Sequence, residues 1–364
     1  MRIIIKKIYL LMISILNFIF KGKKVNDRHI VAMMTFSEDV LPILQQLDEK
    51  GYQLTVIAQE KDRETLNNLQ NVTWVPAGNK YVMQQIKALS TAKVIIIDTY
   101  YLMLGSFNKK EGQTVIQTWH AAGALKNFGF TDHQVDLQNT KMVEQYKQVY
   151  DATDKYLVGG NPMIQCFEAA FGATSDQFVK TGLPRLAYYK QFDAKARQKE
   201  LKRELGIHKK VAVYLPTYRE HKKRNREIDT QAFEALLPNY ILLNKLHPAV
   251  ADAHQSQLDI QTLILIADVI ITDYSSLAIE ASIINKPILF YVYDEQEYER
   301  DRGLNMYYKA IPDKFKAYSE GELLNKIVSE KTPWTALFED WHEYTTADSI
   351  DRVTNYIEEL MVKK

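Results

Sequence analysis

Two histidines follow apolar, strand-like runs, a position in which an imidazole can serve as a general base. His120 lies in the run Gln117-Thr118-Trp119-His120-Ala121-Ala122-Gly123, directly after an apolar run that begins at Val115. His247 lies in Asn244-Lys245-Leu246-His247-Pro248, again at the end of an apolar run. Small residues after His120 would leave its ring open and let a ligand approach the backbone closely. Because an ordinary imidazole titrates near neutral pH, these two residues are the first candidates for catalysis.

Three further polar clusters follow apolar runs and carry groups that bind phosphate. Hydroxyls, cations and backbone N–H groups at a helix start can hold a diphosphate and stabilise developing negative charge. Plainer interpretations exist for each, because a serine pair can simply cap a helix and a lone histidine is more often structural. Together with the two histidines, however, they favour diphosphate binding and deprotonation of a hydroxyl. The clusters are Asp273-Tyr274-Ser275-Ser276, Pro216-Thr217-Tyr218-Arg219 and Gly182-Leu183-Pro184-Arg185.

The elements that must position these residues form two series of short apolar strands alternating with helical patterns. Near-continuous Val, Ile and Leu in the strands predicts parallel sheets covered by helices, and ligands bind beyond the carboxyl ends of such strands. The fold class is therefore α/β, with two Rossmann-like doubly wound domains that face each other across a cleft and a boundary near 160–182. The predicted strands are 29–36, 52–58, 72–75, 94–98, 115–119 and 156–158, then 178–181, 211–215, 240–246, 269–272 and 288–292.

Composition excludes several other classes of protein. The 364 residues suit two domains of ordinary size, and 46% hydrophobic with 25% charged residues is typical of a globular chain. A formal net charge of only +1 argues against a dedicated nucleic-acid binder. The single cysteine, Cys166, excludes an intramolecular disulfide and a cysteine zinc cluster. It lies in a helical pattern, so we expect it to be packed in the interior.

The N-terminal 24 residues are the exception. An apolar run from 8 to 20 is flanked by lysines on both sides, and it is shorter than the roughly 20 residues of a spanning helix. No small-x-small cleavage site follows, which disfavours a signal peptide. We predict that residues 1–24 lie in the interface of an anionic membrane, with a buried N-terminal helix as the alternative. The predicted domains are then 25–172 and 173–364.

Taken in order, the motifs resemble the CDP-glycerol glycerophosphotransferase family of teichoic acid synthesis. The matching motifs are Trp119-His120, Gly182-x-Pro184-Arg185, Pro216-Thr217, Lys245-Leu246-His247-Pro248, Ile271-Thr272-Asp273-Tyr274-Ser275-Ser276, the run from Lys286 to Asp294, and Arg302-Gly303. Many members have Gly-Thr-Pro after the motif histidine. The Ala121-Ala122-Gly123 found here is similar to the members that add the first glycerol phosphate to a lipid-linked disaccharide.

The resemblance implies a GT-B-like fold whose C-terminal domain, 173–364, binds CDP-glycerol and whose N-terminal domain, 25–172, binds the acceptor. It implies that His120 is the general base and that His247 contacts the donor phosphate. Glu280 would bind a ribose or glycerol hydroxyl, and Arg302 would neutralise phosphate charge. The further residues expected at the substrate site are Trp119, Ala121, Ala122, Gly123, Arg185, Pro216, Thr217, Lys245, Leu246, Ser275 and Ser276.

The implied reaction moves sn-glycerol 3-phosphate from CDP-glycerol to the N-acetylmannosaminyl hydroxyl of ManNAc-GlcNAc-diphospho-undecaprenol and releases CMP. No Asp-x-Asp pair follows a strand in the C-terminal half, so we expect metal-independent chemistry without a cofactor. A lipid-linked acceptor implies a peripheral enzyme on the cytoplasmic face of the membrane, near other teichoic acid enzymes. Open alternatives are a poly(glycerol phosphate) or ribitol phosphate transferase, a nucleotide-sugar glycosyltransferase of the same fold, and an inactive assembly partner.

Overall fold

The computed structural model describes residues 2–217, 227–245, 256–329 and 337–363, with side chains from residue 6 onward. The chain forms two compact units. The first unit comprises Met1–His120, Asp136–Tyr188 and Tyr344–Lys364, and the second comprises Ala121–Val135 and Tyr189–Glu343. Each unit is built around its own parallel sheet, as the two series of apolar runs predict.

The first unit contains a seven-stranded, all-parallel sheet of order β3-β2-β1-β4-β5-β6-β7. The strand order reverses between β1 and β4, which is where a doubly wound sheet opens a crevice for ligands. Val31 of β1 pairs with Thr55 on one side and with Ile95 on the other. The strands are β1 (Asn26–Met33), β2 (Gln53–Ala58), β3 (Val72–Pro76), β4 (Ala92–Ile97), β5 (Thr114–Gln117), β6 (Lys155–Leu157) and β7 (Phe178–Val179).

The second unit contains a five-stranded parallel sheet of order β12-β11-β10-β8-β9, which reverses between β8 and β10. Two strand orders are common in doubly wound sheets, and this sheet has one of them while the first sheet has the other. The short strand β12 has no counterpart among the predicted strands, because two residues are too few to show an apolar run. The strands are β8 (Lys210–Leu215), β9 (Tyr240–Asn244), β10 (Val269–Thr272), β11 (Ile288–Tyr291) and β12 (Lys316–Ala317).

Helices connect the strands in both units, and single-turn 3-10 segments such as Leu102–Ser106 and Glu339–His342 fill several loops. The helices of the described residues are α1 (Arg2–Phe20), α2 (Ser37–Glu49), α3 (Val82–Leu89), α4 (Thr140–Tyr150), α5 (Asn161–Phe171), α6 (Pro184–Ala187), α7 (Ala194–Glu204), α8 (Thr230–Leu236), α9 (Ile260–Ile266), α10 (Leu277–Ser282), α11 (Glu295–Asp301), α12 (Met306–Lys309), α13 (Glu320–Ser329) and α14 (Ser349–Val362).

Both faces of the first sheet are covered, which confirms the doubly wound prediction. Ile30 and Ala32 point to one face and pack with apolar residues of α2 and α14. Val31 and Met33, the alternate residues of the same strand, pack with α1 and α3 on the other face. Because successive strand residues point to opposite faces, an unbroken apolar strand is what a sheet covered on both sides requires.

The N-terminal segment is part of the first unit and not a separate domain, which corrects the predicted boundary at 24. Ile13 and Leu16 of α1 are buried in the core of that unit. The opposite side of the helix carries an apolar stripe that faces solvent, in which Phe18 is 80% exposed. No helix among the described residues has the length and apolarity needed to cross a bilayer. The exposed stripe consists of Ile8, Leu11, Ile15, Phe18 and Ile19.

The division into units differs from the predicted boundary at 172/173 for three reasons. Strand β7 pairs with β6, so it extends the first sheet and does not begin the second. Helix α14 contacts α2 and β4, which returns the C-terminal end of the chain to the first unit. The segment Ala121–Val135 joins the second unit, where the Asn127 N–H donates to the Gly303 carbonyl at 3.0 Å. Each of these pairings joins residues far apart in sequence.

Candidate active site

The imidazole of His120 lies just beyond the carboxyl end of β5, between two aromatic rings. The Phe36 ring stacks on it with centroids 5.1 Å apart and an interplanar angle of 21°. The Trp119 ring lies on it with a centroid distance of 4.3 Å and a tilt of 37°. The His120 side chain is half-buried. Two flat rings of this kind restrict the orientations that the imidazole can adopt.

Asp98, which follows β4, holds both the histidine and the segment that carries Phe36. Its carbonyl oxygen lies 3.1 Å from Nδ1 of His120. Its buried carboxylate accepts hydrogen bonds from the N–H groups of Thr35 and Phe36, at 2.6 and 2.7 Å, and from the Tyr101 hydroxyl at 2.6 Å. Burial raises the pKa of the Asp98 carboxyl, and the bonds from Phe36, Tyr101 and Thr35 oppose that shift. The network spans the β1–β4 crevice of the sheet.

Trp119 adopts a backbone conformation that is rare outside glycine. Its φ is 65°, in the left-handed region, which costs a bulky residue about 1–3 kcal/mol. Gln117 supports the turn, because its side-chain oxygen accepts from the Trp119 N–H at 2.9 Å. The indole also packs edge-on against Phe167 and Phe171 of α5. Strain of this kind concentrates at functional sites, and here it places the indole on the imidazole.

The small residues after His120 have a packing role that the sequence-based interpretation did not include. A Cβ atom on Gly123 would come within 2.5 Å of the Trp341 ring and 2.6 Å of Ile279, so only glycine fits. Ala122 is 2% exposed, whereas Ala121 is half-buried. Close packing against Trp341 therefore requires glycine at position 123, and its place at the substrate site stays a prediction.

In the second unit, the predicted phosphate-binding residues meet at the β8–β10 reversal. The Asp273 carboxylate accepts from the N–H groups of Thr217 and Tyr274, at 2.8 and 2.6 Å, and so joins the ends of the two strands. Ser275 and Ser276 lie directly before α10, and the Ser275 hydroxyl accepts from the Leu277 N–H at 3.3 Å. Pro216, Thr217, Ser275 and Ser276 are all half-buried at this edge of the sheet.

Lys245 ends the neighbouring strand β9, as predicted. Its N–H donates to the Tyr214 carbonyl at 3.1 Å, and its ammonium donates to the Ser256 carbonyl at 3.0 Å. Because β9 is next to β8 in the sheet, Lys245 lies on the same edge as Thr217. Five other residues of the predicted motifs, among them the second candidate catalytic histidine, lie outside the described residues: Tyr218, Arg219, Leu246, His247 and Pro248.

Glu280 and Arg302, the two less specific candidates, both have protein partners in the second unit. Glu280 is 5% exposed and accepts from the Tyr189 hydroxyl at 3.1 Å. Arg302 forms an ion pair with Asp132 at 2.8 Å and donates to the Gln134 side chain at 3.0 Å. The two Arg302 contacts hold Ala121–Val135 to the rest of the unit and partly neutralise the cation that we expected at a phosphate.

Arg185 is not where the sequence-based interpretation placed it. It belongs to the first unit, in α6, and its side chain is buried. Its Nε donates to the Asp39 carboxylate at 2.5 Å, and its N–H donates to the same group at 3.0 Å. Asp39 lies in α2, so this ion pair ties α6 to α2. These contacts give Arg185 a role in holding two helices together, and its contact with the donor stays a prediction.

Residues around His120 were missed because the motifs did not include them. Asp98 ends a predicted strand beside β5, and the rule that ligands bind beyond strand ends could have identified it. The same rule could have identified Thr35 and Phe36, which end the predicted strand 29–36, whereas Tyr101 carries no comparable signal. Among the described residues, no group of three or more His, Cys, Asp or Glu side chains is arranged to hold a metal ion.

Comparisons with known proteins agree on one family. A family model described as CDP-Glycerol:Poly(glycerophosphate) glycerophosphotransferase matches residues 18–359. The chain is 47% identical to the teichoic acid glycerol-phosphate primase of Staphylococcus aureus (strain NCTC 8325 / PS 47), over 100% of both chains. The structure of the wall teichoic acid polymerase TagF is similar, with a TM-score of 0.77 at 19% identity, covering 98% of this chain and 95% of that one.

A more distant similarity concerns the fold alone. UDP-GlcNAc 2-epimerase from Methanocaldococcus jannaschii matches with a TM-score of 0.54 at 11% identity, over 93% of this chain and 100% of that one. Together with the two doubly wound sheets, these likenesses confirm the predicted α/β fold with parallel sheets.

Proposed function

Because the chain belongs to the CDP-glycerol:poly(glycerophosphate) glycerophosphotransferase family, we propose that it primes teichoic acid synthesis. The donor is CDP-glycerol, and the acceptor is the N-acetylmannosaminyl hydroxyl of ManNAc-GlcNAc-diphospho-undecaprenol. One sn-glycerol 3-phosphate is transferred and CMP is released. The full-length similarity to a glycerol-phosphate primase supports this choice over polymerising relatives. The structural observation that carries the proposal is the His120 imidazole, held by the Asp98 carbonyl at the end of β5.

His120 acts as the general base. Its Nδ1 faces a carbonyl oxygen, which can only accept a hydrogen bond, so Nδ1 carries the hydrogen and the lone pair is on Nε2. Nε2 takes the proton from the sugar hydroxyl as that oxygen attacks the β-phosphorus of CDP-glycerol. A bond forms between the hydroxyl oxygen and the β-phosphorus, and the bond from the β-phosphorus to the bridging oxygen breaks. The electron pair leaves with CMP.

The residues at the β8–β10 reversal supply the donor site. The hydroxyls of Thr217, Ser275 and Ser276 and the ammonium of Lys245 are polar groups on one sheet edge, suited to the non-bridging phosphate oxygens. His247 is the second histidine of the proposed site and contacts the donor phosphate. Glu280 is assigned to a donor hydroxyl.

Metal-independent transfer is part of the proposal. Asp273 stands at the strand end where a metal ligand would be expected, and its Oδ1 accepts from the N–H groups of Thr217 and Tyr274, which gives this carboxylate a role in joining the strand ends. Asp268, at the opposite end of β10, accepts from the Val211 N–H at 2.7 Å and pairs with Lys202. In the proposed reaction, hydroxyl and ammonium groups stabilise the negative charge on the phosphate oxygens, which magnesium stabilises in many phosphoryl transfers.

We also propose that the enzyme works as a peripheral protein on the cytoplasmic face of the membrane. The exposed apolar stripe of α1 is one support for this. The exposed lysines on either side of the apolar run 8–20 are another, because they would attract anionic lipid head groups. They are Lys6, Lys7, Lys21, Lys23 and Lys24. Contact with other teichoic acid enzymes would follow from a shared lipid-linked substrate.

One reaction tests the function and its alternatives together. Purified protein is incubated with CDP-glycerol and the disaccharide lipid in excess EDTA, and the product is weighed by mass spectrometry. We expect one added glycerol phosphate and an equal amount of CMP. Repeated additions would identify a polymerase, and UDP release from a UDP-sugar would identify a glycosyltransferase. Activity that appears only when magnesium is restored would overturn the metal-independent part alone.

A further inference from the structure

A cavity of about 190 Å³ opens at the carboxyl end of the first sheet, and the roles proposed above for His120 and the donor site leave it unassigned. Its walls come from the segments that follow β1, β2, β3 and β4 and from helix α1. This is the edge at which open α/β sheets bind ligands. The volume lies below the roughly 300–1,000 Å³ that drug-sized ligands occupy, so the cavity suits a single ring.

The chemistry of the walls indicates an uncharged ligand. The residues that line the cavity in the described part of the chain include no Lys, Arg, Asp or Glu. Gln59 and Asn79 contribute amide groups, and Met33 and Met103 contribute apolar surface. A diphosphate would call for cations, whereas amides beside apolar surface suit a sugar ring with an acetamido group.

The loop that carries Asn79 is held in place by a buried amide. Gln85 is 3% exposed, and its side-chain nitrogen donates to the carbonyls of Pro76 and Gly78, at 2.8 and 3.0 Å. Ala77, between them, donates its N–H to the Ala58 carbonyl at 2.8 Å. The cavity rim is therefore built before a ligand arrives, and little ordering is needed on binding.

Hydrogen bonds connect the cavity to the general base. Thr35 and Tyr101, which both line it, bond to each other through their hydroxyls at 2.8 Å. The Tyr101 hydroxyl also donates to the Asp98 carboxylate, and the Asp98 carbonyl faces Nδ1 of His120. Phe36, the residue after Thr35, stacks on the same imidazole. A ligand that contacts Thr35 or Tyr101 is thus next to the groups that orient His120.

We propose that this cavity is a subsite for the acceptor and binds an uncharged, N-acetylated pyranose ring of the lipid-linked sugar. The assignment rests on the proposed function and extends it to the residues that select the acceptor. Tyr9 of α1 also lines the cavity. The helix with the exposed apolar stripe therefore forms one wall of the sugar subsite, as an acceptor anchored in a bilayer requires.

Two exposed positions at the rim allow the subsite to be altered without disturbing the core. Ala77 and Asn79 both line the cavity and are exposed. Ala77→Trp fills the opening, and Asn79→Ala removes an amide. Lys80 is the exposed neighbour that does not line the cavity, so Lys80→Trp and Lys80→Ala are the matched controls. Thermal melts of the four variants confirm that each is folded.

Saturation-transfer NMR with the free methyl glycoside of ManNAc-GlcNAc measures sugar binding without any catalysis. We expect a signal from the wild-type protein and from Lys80→Trp, a weaker signal from Asn79→Ala, and none from Ala77→Trp. If the wild-type protein does not bind the sugar, or if Ala77→Trp binds it equally well, the subsite is overturned. The wild-type protein could bind the sugar, with Ala77→Trp failing to bind it, and yet never transfer glycerol phosphate. That result would refute the proposed function while still supporting the sugar-binding subsite.

Steady-state CMP release then shows whether the subsite serves the reaction. In Ala77→Trp, the KM for the lipid-linked acceptor should rise at least about tenfold, as expected from losing one or two hydrogen bonds and a buried ring. The KM for CDP-glycerol should stay unchanged. The same loss with a water-soluble disaccharide acceptor supports a sugar subsite. A loss confined to vesicle-bound acceptor would mean that the cavity binds a lipid head group, which would overturn the assignment.

Discussion

The carbonyl oxygen of Asp98 lies 3.1 Å from Nδ1 of His120, so the residue that ends β4 sets the tautomer of the histidine that follows β5. The two strands are neighbours in the sheet, with Ile97 paired to Gln117. The Asp98 carboxylate faces the other way and binds the N–H groups of Thr35 and Phe36. One residue thus positions the imidazole from one side and the stacking Phe36 ring from the other.

Asp98→Asn should impair both stability and turnover. The Thr35 and Phe36 N–H groups both donate to Oδ2, so the amide oxygen can replace that oxygen only with the NH₂ group facing the Tyr101 hydroxyl, which then loses its acceptor. Because the two remaining bonds also lose their charged acceptor, we expect a loss of about 2–3 kcal/mol in the free energy of unfolding. We expect kcat for CMP release to fall at least about tenfold, since proton transfer depends on the geometry of the base. The KM for CDP-glycerol should change less than about twofold, because Asp98 acts on the base.

Asp48→Asn is the matched control for that variant. Asp48 is also a buried carboxylate of the first unit that accepts two N–H groups, from Gln70 and Asn71, both at 2.7 Å. It should lose similar stability and keep its kcat. Equal effects of the two variants on kcat would mean that Asp98 has only a structural role.

Arg185→Met should unfold the protein more easily without weakening donor binding. Removing one partner of a buried ion pair leaves the Asp39 carboxylate uncompensated, which costs about 3–5 kcal/mol. The exposed pair between Lys50 and Glu358, 2.6 Å apart, provides the comparison, and Lys50→Met should cost less than about 1 kcal/mol. Denaturant titration measures both. A stable Arg185→Met protein with a KM for CDP-glycerol raised about tenfold would restore Arg185 to the donor site.

Arg185 also shows that strands could be predicted from the sequence, whereas contacts between distant residues could not. The apolar runs predicted eleven of the strands close to their observed positions, because hydrophobic periodicity is local. The partner of Arg185 lies 146 residues away in sequence, so the sequence alone could not distinguish an arginine in a buried ion pair from a phosphate ligand. The same limit applies to β7, whose pairing with β6 moved the boundary. It also applies to Gly123, whose neighbour Trp341 is still more remote in sequence.

His342 should make stability depend on pH. Its side chain bonds to the Ser282 hydroxyl at 2.8 Å, and burial, with a smaller contribution from Lys190, lowers its pKa to about 4. An unfolded histidine titrates near 6.5. A lowered pKa in the folded state means that the stability from neutral His342 is present above about pH 6.5. It is lost as the pH falls toward 4, by about 3 kcal/mol at most.

The comparison with His342→Gln isolates this contribution from that of the carboxylates. The free energy of unfolding is measured for both proteins from about pH 7.5 to 4.5, where only the wild type carries a titrating group at 342. We expect the difference between the two to shrink steadily as the pH falls. A difference that stays constant across this range would show that His342 is not held in its neutral form.

The exposed stripe of α1 should bring the protein to anionic membranes. Ile15→Asp with Phe18→Asp places two charges on that face, at positions 53% and 80% exposed, and should abolish sedimentation with phosphatidylglycerol vesicles. Met83→Asp is the control, because Met83 is a 59% exposed apolar residue of α3. Unchanged sedimentation of the double variant would exclude α1 as the membrane contact.

The most direct test of the account is single-turnover CMP release by His120→Ala, with CDP-glycerol and the disaccharide lipid both saturating. If His120 is the general base, the rate should fall by about 10²- to 10⁴-fold in a protein that melts as the wild type does. His208→Ala, at an exposed histidine of the second unit, should retain the wild-type rate. A folded His120→Ala protein that releases CMP at the wild-type rate would contradict the proposed mechanism.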